Sequence, residues 1–334
     1  MKKLINDPKN VVEEMIEGYV KAYPDYVKQL PENKRAIVTT RKTREGKVGI
    51  LIGGGSGHEP AFMGYVGEGM ADGVAVGNIF ASPSPEPILA VTKAIDKGAG
   101  VVYLYGNYAG DVMNFGMAAE MAELDEDIRV GTAITTDDVA SAPKDEKGKR
   151  RGIAGEFFVW KAAGAAADFG YNLDEVVRVA KKANENIRSM GVGLTPCSLP
   201  QTGKPSFEIG DNEMEIGLGH HGEPGIEKGP LKPADEVADC LVNEILEDIE
   251  IEKGDKVAVL VNGLGSTPYM ELYIMFRRVE KLLSERGIKI YRSYVGNYIT
   301  SLEMGGCSIT LMKLDEELEK MIDHPVNTPM FVQK

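Results

Sequence analysis

The 334-residue chain is 43% hydrophobic and 27% charged, with a formal net charge of −13 at pH 7, the composition of an ordinary globular protein. That acidic balance argues against a nucleic-acid surface, which needs Lys and Arg to displace counterions, and against adsorption to anionic membranes. No apolar run approaches the roughly 18–20 residues of a membrane span, the N-terminus lacks a signal-peptide core, and Cys197, Cys240 and Cys307 form no CxxC pair, so the expected location is cytoplasmic, without a disulfide framework or four-cysteine zinc site.

Along the chain, Asp7-Pro8 reads as N-cap and first helical residue, with Val12, Met15, Ile16 and Tyr19 following on one helical face. Lys47–Ile52 is a short apolar strand that runs into a glycine loop, Gly53-Gly-Gly-Ser-Gly-His58-Glu-Pro60. A helix at Pro85–Ile95, a strand at Val101–Tyr105 ending in the turn Gly106-Asn-Tyr-Ala-Gly-Asp111, a helix at Val112–Leu124 and a strand at Arg129–Thr135 follow. This alternation predicts an α/β domain with a largely parallel sheet, in which ligands gather at the carboxyl ends of strands. Ser141–Arg151 reads as a polar surface loop, and helices are expected at Gly155–Asp168 and Leu173–Met190.

From Gly191 to Pro230 the chain becomes rich in Gly, Pro and Thr and carries a second histidine loop, Gly217-Leu-Gly-His220-His221-Gly-Glu-Pro224. The shift places a domain boundary near residue 190, dividing an N-terminal α/β domain, 1–190, from a mixed α+β domain, 191–334. The second domain reads as helix Pro233–Ile249, strand Val257–Val261, helix Pro268–Glu285, strands Ile288–Tyr294 and Ser308–Lys313, and helix Asp315–Asp323.

Three of the four histidines sit in the two glycine loops. Three chemistries fit such a pattern. Nucleotide binding is one, although no P-loop sequence is present and the glycine run matches a dinucleotide fingerprint only loosely. Metal binding by His58-Glu59 with His220, His221 and Glu223 is the second; the loops lack the i, i+4 spacing that sets two ligands on one face. Acid–base or nucleophilic chemistry by histidine, with Asp111 at a neighbouring strand end, is the third. His324, at an acidic helix end, reads as exposed and inert, and Cys240 as core.

These motifs, together with Arg150-Arg-Gly-Ile-Ala-Gly155, Asn262-Gly-Leu-Gly-Ser-Thr-Pro268 and Gly296-Asn-Tyr-Ile-Thr-Ser-Leu-Glu-Met304, closely resemble the dihydroxyacetone-binding subunits of dihydroxyacetone kinases, the DhaK family. The resemblance runs in order across nearly the whole chain. It implies a two-domain fold in which each domain is a mixed or largely parallel sheet packed with helices. It also implies that His221 binds the ketone covalently as a hemiaminal, that His58 and Asp111 activate a terminal hydroxyl for phosphoryl transfer, and that Gly55 contacts substrate through its backbone. Ser56 and Gly106 are the neighbouring substrate-site expectations.

No cofactor or metal is expected on this chain. ADP or ATP and Mg²⁺ belong, by the resemblance, to a separate DhaL-like subunit, recharged either from ATP or by a DhaM-like phosphocarrier of the phosphoenolpyruvate phosphotransferase system; a homodimer is also implied. Two departures bear on specificity. Many relatives carry Lys where this chain has Gly106, which opens room for a four-carbon ketose such as erythrulose, and His220 stands where an apolar residue is common. His220 is expected to be a surface-facing bystander. A ketose-sensing coactivator that captures substrate without turnover is the alternative reading.

Overall fold

In the computed structural model, which describes residues 2–334, the alternating apolar runs of the first third build a six-stranded sheet. Its strands are β1 (Val27–Leu30), β2 (Asn33–Thr39), β3 (Gly49–Ser56), β4 (Gly73–Ile79), β5 (Val101–Gly106) and β6 (Val130–Thr135), in spatial order β1-β2-β4-β3-β5-β6. β4, β3, β5 and β6 are mutually parallel. β1 and β2 form an antiparallel hairpin that joins the β4 edge antiparallel. Ile50, Leu51 and Ile52 are fully buried, as expected for a central strand covered on both faces.

Helices α1 (Val11–Ala22), α2 (Pro85–Ile95) and α3 (Ala109–Asp125) belong to this unit. α2 starts at Pro85, where the missing N–H costs nothing. Asp7-Pro8 does not cap α1: the Asp7 carboxylate accepts from Lys9 N–H and its carbonyl from Asn10 N–H, closing a separate turn before the helix begins at Val11.

The second sheet contains β7 (Ile187–Thr195), β8 (Glu213–Ile216), β9 (Glu227–Pro230), β10 (Lys256–Gly263), β11 (Lys289–Gly296) and β12 (Gly305–Leu314), in the order β11-β10-β12-β7-β8-β9. Only β10 and β11 pair in parallel. α6 (Ala234–Asp248) and α7 (Tyr269–Glu285) bury Leu241, Ile245, Leu272 and Val279 in one core with Val257, Val259 and Ile309 of the sheet.

The single boundary at residue 190 does not describe the structure. One unit comprises the chain up to Thr135, Val159–Lys182 and Lys320–Lys334; the other comprises Thr136–Phe158 and Ala183–Glu319. The composition change near 190 marks the loops of the second sheet, whereas α4 (Glu156–Asp168) and α5 (Leu173–Glu185) carry the chain back to the first unit. Trp160 packs 5.3 Å from Phe62 and 5.6 Å from Tyr65, and Leu173 and Val177 lie over Gly131 of β6, with Leu173 also over Gly100 just before β5. The helix expected to run to Met190 stops at Glu185, and Ile187–Thr195 becomes β7, paired with β12. Every residue from Ile187 to Gly193 is buried, and a short, wholly buried run has no periodicity that separates strand from helix. The last elements are α8 (Glu316–Asp323) and the two-stranded β13 (Val326–Asn327) and β14 (Val332–Gln333).

Candidate active site

In the first unit, the glycine run expected as a loop lies within β3: Gly53 pairs with Ala75 and Gly54 with Val76. Close packing explains the lack of side chains. A Cβ on Gly53 would stand 2.6 Å from Ala75 O, on Gly54 2.5 Å from the Phe62 ring, and on Gly55 2.6 Å from Ala81 N. The register slips before Ser56, whose hydroxyl donates to Gly77 O at 2.7 Å. With its proton committed there, the Ser56 hydroxyl has only acceptor capacity left.

His58 follows directly and is buried. Its ring stacks on Phe80 at 5.0 Å and meets the edge of Phe62 at 6.4 Å. Phe80 itself has φ of 54°, a left-handed conformation that a bulky residue adopts only when its surroundings impose it. Glu59 turns back so that both carboxylate oxygens accept from Gly57 N–H at 3.1 Å. Burial pushes the Glu59 carboxyl up, against the pull of those N–H groups.

Asp111 lies in the first turn of α3, just past the carboxyl end of β5, where the unpaired N–H groups of the helix favour its negative charge. It is buried. Burial, reinforced by the nearby Asp111 charge, pushes the Tyr105 hydroxyl up to about 12. Gly106 ends β5 opposite Thr135 and accepts from Tyr108 N–H at 2.8 Å.

The segment after β4 connects these two features. Phe80 stacks on His58, Ser82 comes within 3.2 Å of where a Gly110 Cβ would sit, and Pro83 O accepts from Asn114 Nδ2 at 2.8 Å. His58 and Asp111 therefore both occur at the carboxyl edge of the parallel strands, as the sequence predicts for a ligand-binding edge.

In the second unit, His220 and His221 lie on the turn between β8 and β9. Gly222 reverses the chain at φ of 88°, and Gly219 N–H reaches Glu223 O at 3.0 Å. The Glu223 carboxylate then clasps His221 twice: Oε2 accepts from the backbone N–H and Oε1 from ring Nδ1, each at 2.9 Å. A carboxylate only accepts, so Nδ1 carries a proton, and in the neutral ring Nε2 is the nitrogen with the lone pair. Burial pushes the Glu223 carboxyl up, but when the His221 ring is protonated its hydrogen bond and charge, with a backbone N–H and Arg151, outweigh burial and hold the value at about 2.

Arg151 stands 3.9 Å from Glu223, donates to Gly217 O, and is anchored by Asp138 at 2.8–2.9 Å. Burial and the adjacent Asp137 raise the Asp138 carboxyl to about 7 despite Arg151. Asp137 in turn accepts from the Ile153 and Gly155 N–H groups. A side chain at Gly219 would collide with both the Glu223 carboxylate and the Arg151 guanidinium.

Three expectations are corrected. His220 is buried, not surface-facing. His324 is only 17% exposed at its side chain: Nε2 lies 3.1 Å from Asp168 Oδ2, the ring packs on Phe169, and its carbonyl accepts from the buried Lys161. The Ser141–Arg151 segment is exposed from Pro143 to Lys149 but buries Arg150, which makes a two-pronged bond with Asp248 at 2.6 and 2.8 Å. Arg188 bonds the same carboxylate. Cys240 packs partly buried against the second core. Among the described residues no group of three His, Cys, Asp or Glu side chains is gathered as a metal ion requires, and no helix is long and apolar enough to cross a membrane.

Sequence reasoning missed Glu223 as the partner of His221, seeing it only as a metal ligand. The signal was a carboxylate two residues after the histidine with a glycine between, the spacing of a tight turn that folds a side chain back on the preceding residue.

Two sheets, with a buried histidine at a strand end of one unit and an oriented histidine on a glycine-bounded turn of the other, define a two-unit α/β protein. A family model described as the Dak1 domain matches residues 17–330. The chain is 51% identical over 331 residues to the dihydroxyacetone-binding subunit DhaK of PTS-dependent dihydroxyacetone kinase 2 of Listeria innocua, covering 99% of both chains. It is 44% identical to the L-erythrulose kinase of Pectobacterium atrosepticum, covering 99% of this chain but 56% of that protein. The solved structure of the dihydroxyacetone kinase operon co-activator Dha-DhaQ superposes with a TM-score of 0.89 at 33% identity, over 96% of this chain and 98% of that one. The chain belongs to the Dak1 domain family.

Proposed function

We propose that this chain is the substrate-binding subunit of a dihydroxyacetone kinase, holding a short ketose on His221 and presenting its terminal hydroxyl for phosphorylation. The observation that carries this reading is the clasp of Glu223 on His221, which leaves Nε2 as the nucleophile. In capture, the Nε2 lone pair bonds to the ketone carbon and the carbonyl π pair moves to oxygen. That oxygen takes up a proton while the ring releases its Nδ1 proton toward Glu223, giving a neutral hemiaminal. Glycerol, which has no carbonyl, cannot enter this bond. A noncovalent site would struggle with so small a ligand: six heavy atoms at a ceiling of about 1.5 kcal/mol each allow roughly 9 kcal/mol, and a polar ligand falls well short of it.

His58 and Asp111 then take the proton from the terminal hydroxyl as its oxygen attacks the phosphoryl group. The Gly55 backbone, Ser56 and Gly106 complete the substrate contacts. The phosphoryl group comes from a nucleotide and Mg²⁺ on a DhaL-like subunit, recharged by a DhaM-like phosphocarrier, and the chain works as a homodimer. The name of the Listeria relative supports a phosphotransferase-system source.

The erythrulose kinase relative favours a second substrate, and Gly106 leaves room for the fourth carbon. The chain, a DhaL-type subunit and a regenerating phosphoryl source are mixed with dihydroxyacetone, L- and D-erythrulose or glycerol, and ketose phosphate is measured. Product from a ketose and none from glycerol is expected. No product from any ketose, with a donor subunit active on another DhaK-type subunit, rejects the kinase reading in favour of a ketose sensor of the Dha-DhaQ kind.

A further inference from the structure

Resting on the capture reading above, we infer that Arg151, anchored by Asp138, is a positioning residue for the nucleophile: its guanidinium holds the Glu223 carboxylate as the anionic acceptor of the His221 Nδ1 proton. The four residues belong to one unit and stand in a row. Glu223 is 2.9 Å from His221 Nδ1, Arg151 is 3.9 Å from Glu223, and Asp138 is 2.8 Å from Arg151. Their side chains are mostly covered, from 31% exposed at Glu223 to 1% at Asp138, so solvent screens the charges less than it would on an open surface.

Capture needs a neutral ring, because only then does Nε2 carry a lone pair. In that state the ring gives Glu223 no positive partner. Burial pushes the Glu223 carboxyl up; of the groups that pull against it, the ring, a backbone N–H and Arg151, only Arg151 then carries positive charge. Without Arg151, burial favours the protonated carboxyl. A protonated carboxyl can donate to Nδ1, which leaves the ring proton on Nε2 and removes the nucleophile. Glu215, the neighbouring carboxylate of the hairpin, is bonded to Gly225 N–H instead.

The local geometry fits this role. Arg151 Nε and Nη2 donate to Asp138 Oδ2, and Nη2 also reaches Gly217 O at 3.3 Å, while Nη1 is the nitrogen nearest Glu223. Gly219 lies where the two charges meet: a Cβ there would collide with both Glu223 Oε2 and Arg151 Nη1. The main chain at Arg151 is pinned without its side chain, since its N–H donates to Ser141 Oγ and its carbonyl accepts from Asp138 N–H. The guanidinium is therefore not what fixes the path of the chain here.

The test uses the full chain with dihydroxyacetone isotopically labelled at its ketone carbon, whose free and adduct signals differ by NMR, so that capture is read without a donor subunit. Arg151→Met, Arg151→Lys and Gly219→Ala are compared with the parent across about pH 6 to 9, and each is also unfolded in urea. Arg151→Met should slow capture by about 10–100-fold and move its acid limb to higher pH, because a charge that disfavours the protonated ring is gone. Arg151→Lys, or guanidinium ion added to Arg151→Met, should recover part of the rate. Gly219→Ala keeps every charge but pushes Arg151 and Glu223 apart, and should slow capture in the same sense by less; it decides the matter if Arg151→Met does not fold. Capture with the parent's rate and pH profile in either variant overturns the inference, and a loss of urea stability alone would make Arg151 no more than a partner for the buried Asp138. A parent chain that forms no adduct with any ketose would instead sink the capture reading itself, a result distinct from both.

Discussion

His58 and His221 are held in opposite ways. His58 is fixed by packing: it is buried, stacked on Phe80 and edge-on to Phe62, behind a strand whose glycines leave no room for side chains. His221 is fixed by a carboxylate: a largely covered ring, 24% exposed, on a reversing loop, bonded to Glu223, which is itself backed by Arg151 and Asp138. The difference suits the two proposed roles. A proton-transfer group gains from a rigid position, whereas a nucleophile that forms a bond needs a defined tautomer and an anion to receive the proton it gives up.

That contrast can be broken at graded points. His221→Ala removes the held substrate and should lower turnover at fixed ketose by more than about 10⁴-fold, since positioning a bound reactant is worth at least that much; steady-state assay with added imidazole as a rescue control checks it. His58→Ala and Asp111→Asn should each lower kcat by about 10²–10⁴-fold while a crystal soaked with dihydroxyacetone still shows the adduct. Loss of the adduct in either variant would mean that the two histidines do not divide the work as proposed.

Glu223→Gln is the finer probe. Its single oxygen stays on the His221 N–H and its amide N–H₂ faces Nδ1, which moves the ring proton to Nε2 and blocks the nucleophile. Ketose capture, followed by stopped-flow, should slow by about 10–100-fold, the usual cost of losing an orienting partner. The least effect on chemistry is expected at Asp248, whose carboxyl is taken up by Arg150 and Arg188. Burial pushes it up, but the two guanidiniums hold it at about 2. This lies below the unfolded value of about 3.9, so the stability it contributes is complete above about pH 4 and is lost as pH falls through 2. Asp248→Asn should destabilise the protein by about 3–5 kcal/mol in urea, shrink that acid dependence, and leave kcat at neutral pH unchanged.

Much of this was legible in the sequence, for identifiable reasons. α2 and α7 began where Pro85 and Pro268 announced them, and His58 and Asp111 stood at strand ends because apolar runs stopped beside them. β4 was hidden because Gly73-Val-Ala-Val-Gly-Asn-Ile carries too little bulk to stand out, and β1 and β2 because Lys and Arg interrupt their apolar residues. The division into units was hidden because α4 and α5 return to the first sheet through contacts distant in sequence. The burial of His220, His324 and Arg150 was equally invisible: local context marks a residue as polar, and only long-range partners such as Asp168 and Asp248 decide whether it is inside.

The most direct test of the central claim is the crystal structure of the chain soaked with dihydroxyacetone. Continuous density from His221 Nε2 to a tetrahedral C2, with Nδ1 still on Glu223, is the predicted result. A trigonal, unattached ketone, or a bond formed through Nδ1, would contradict it.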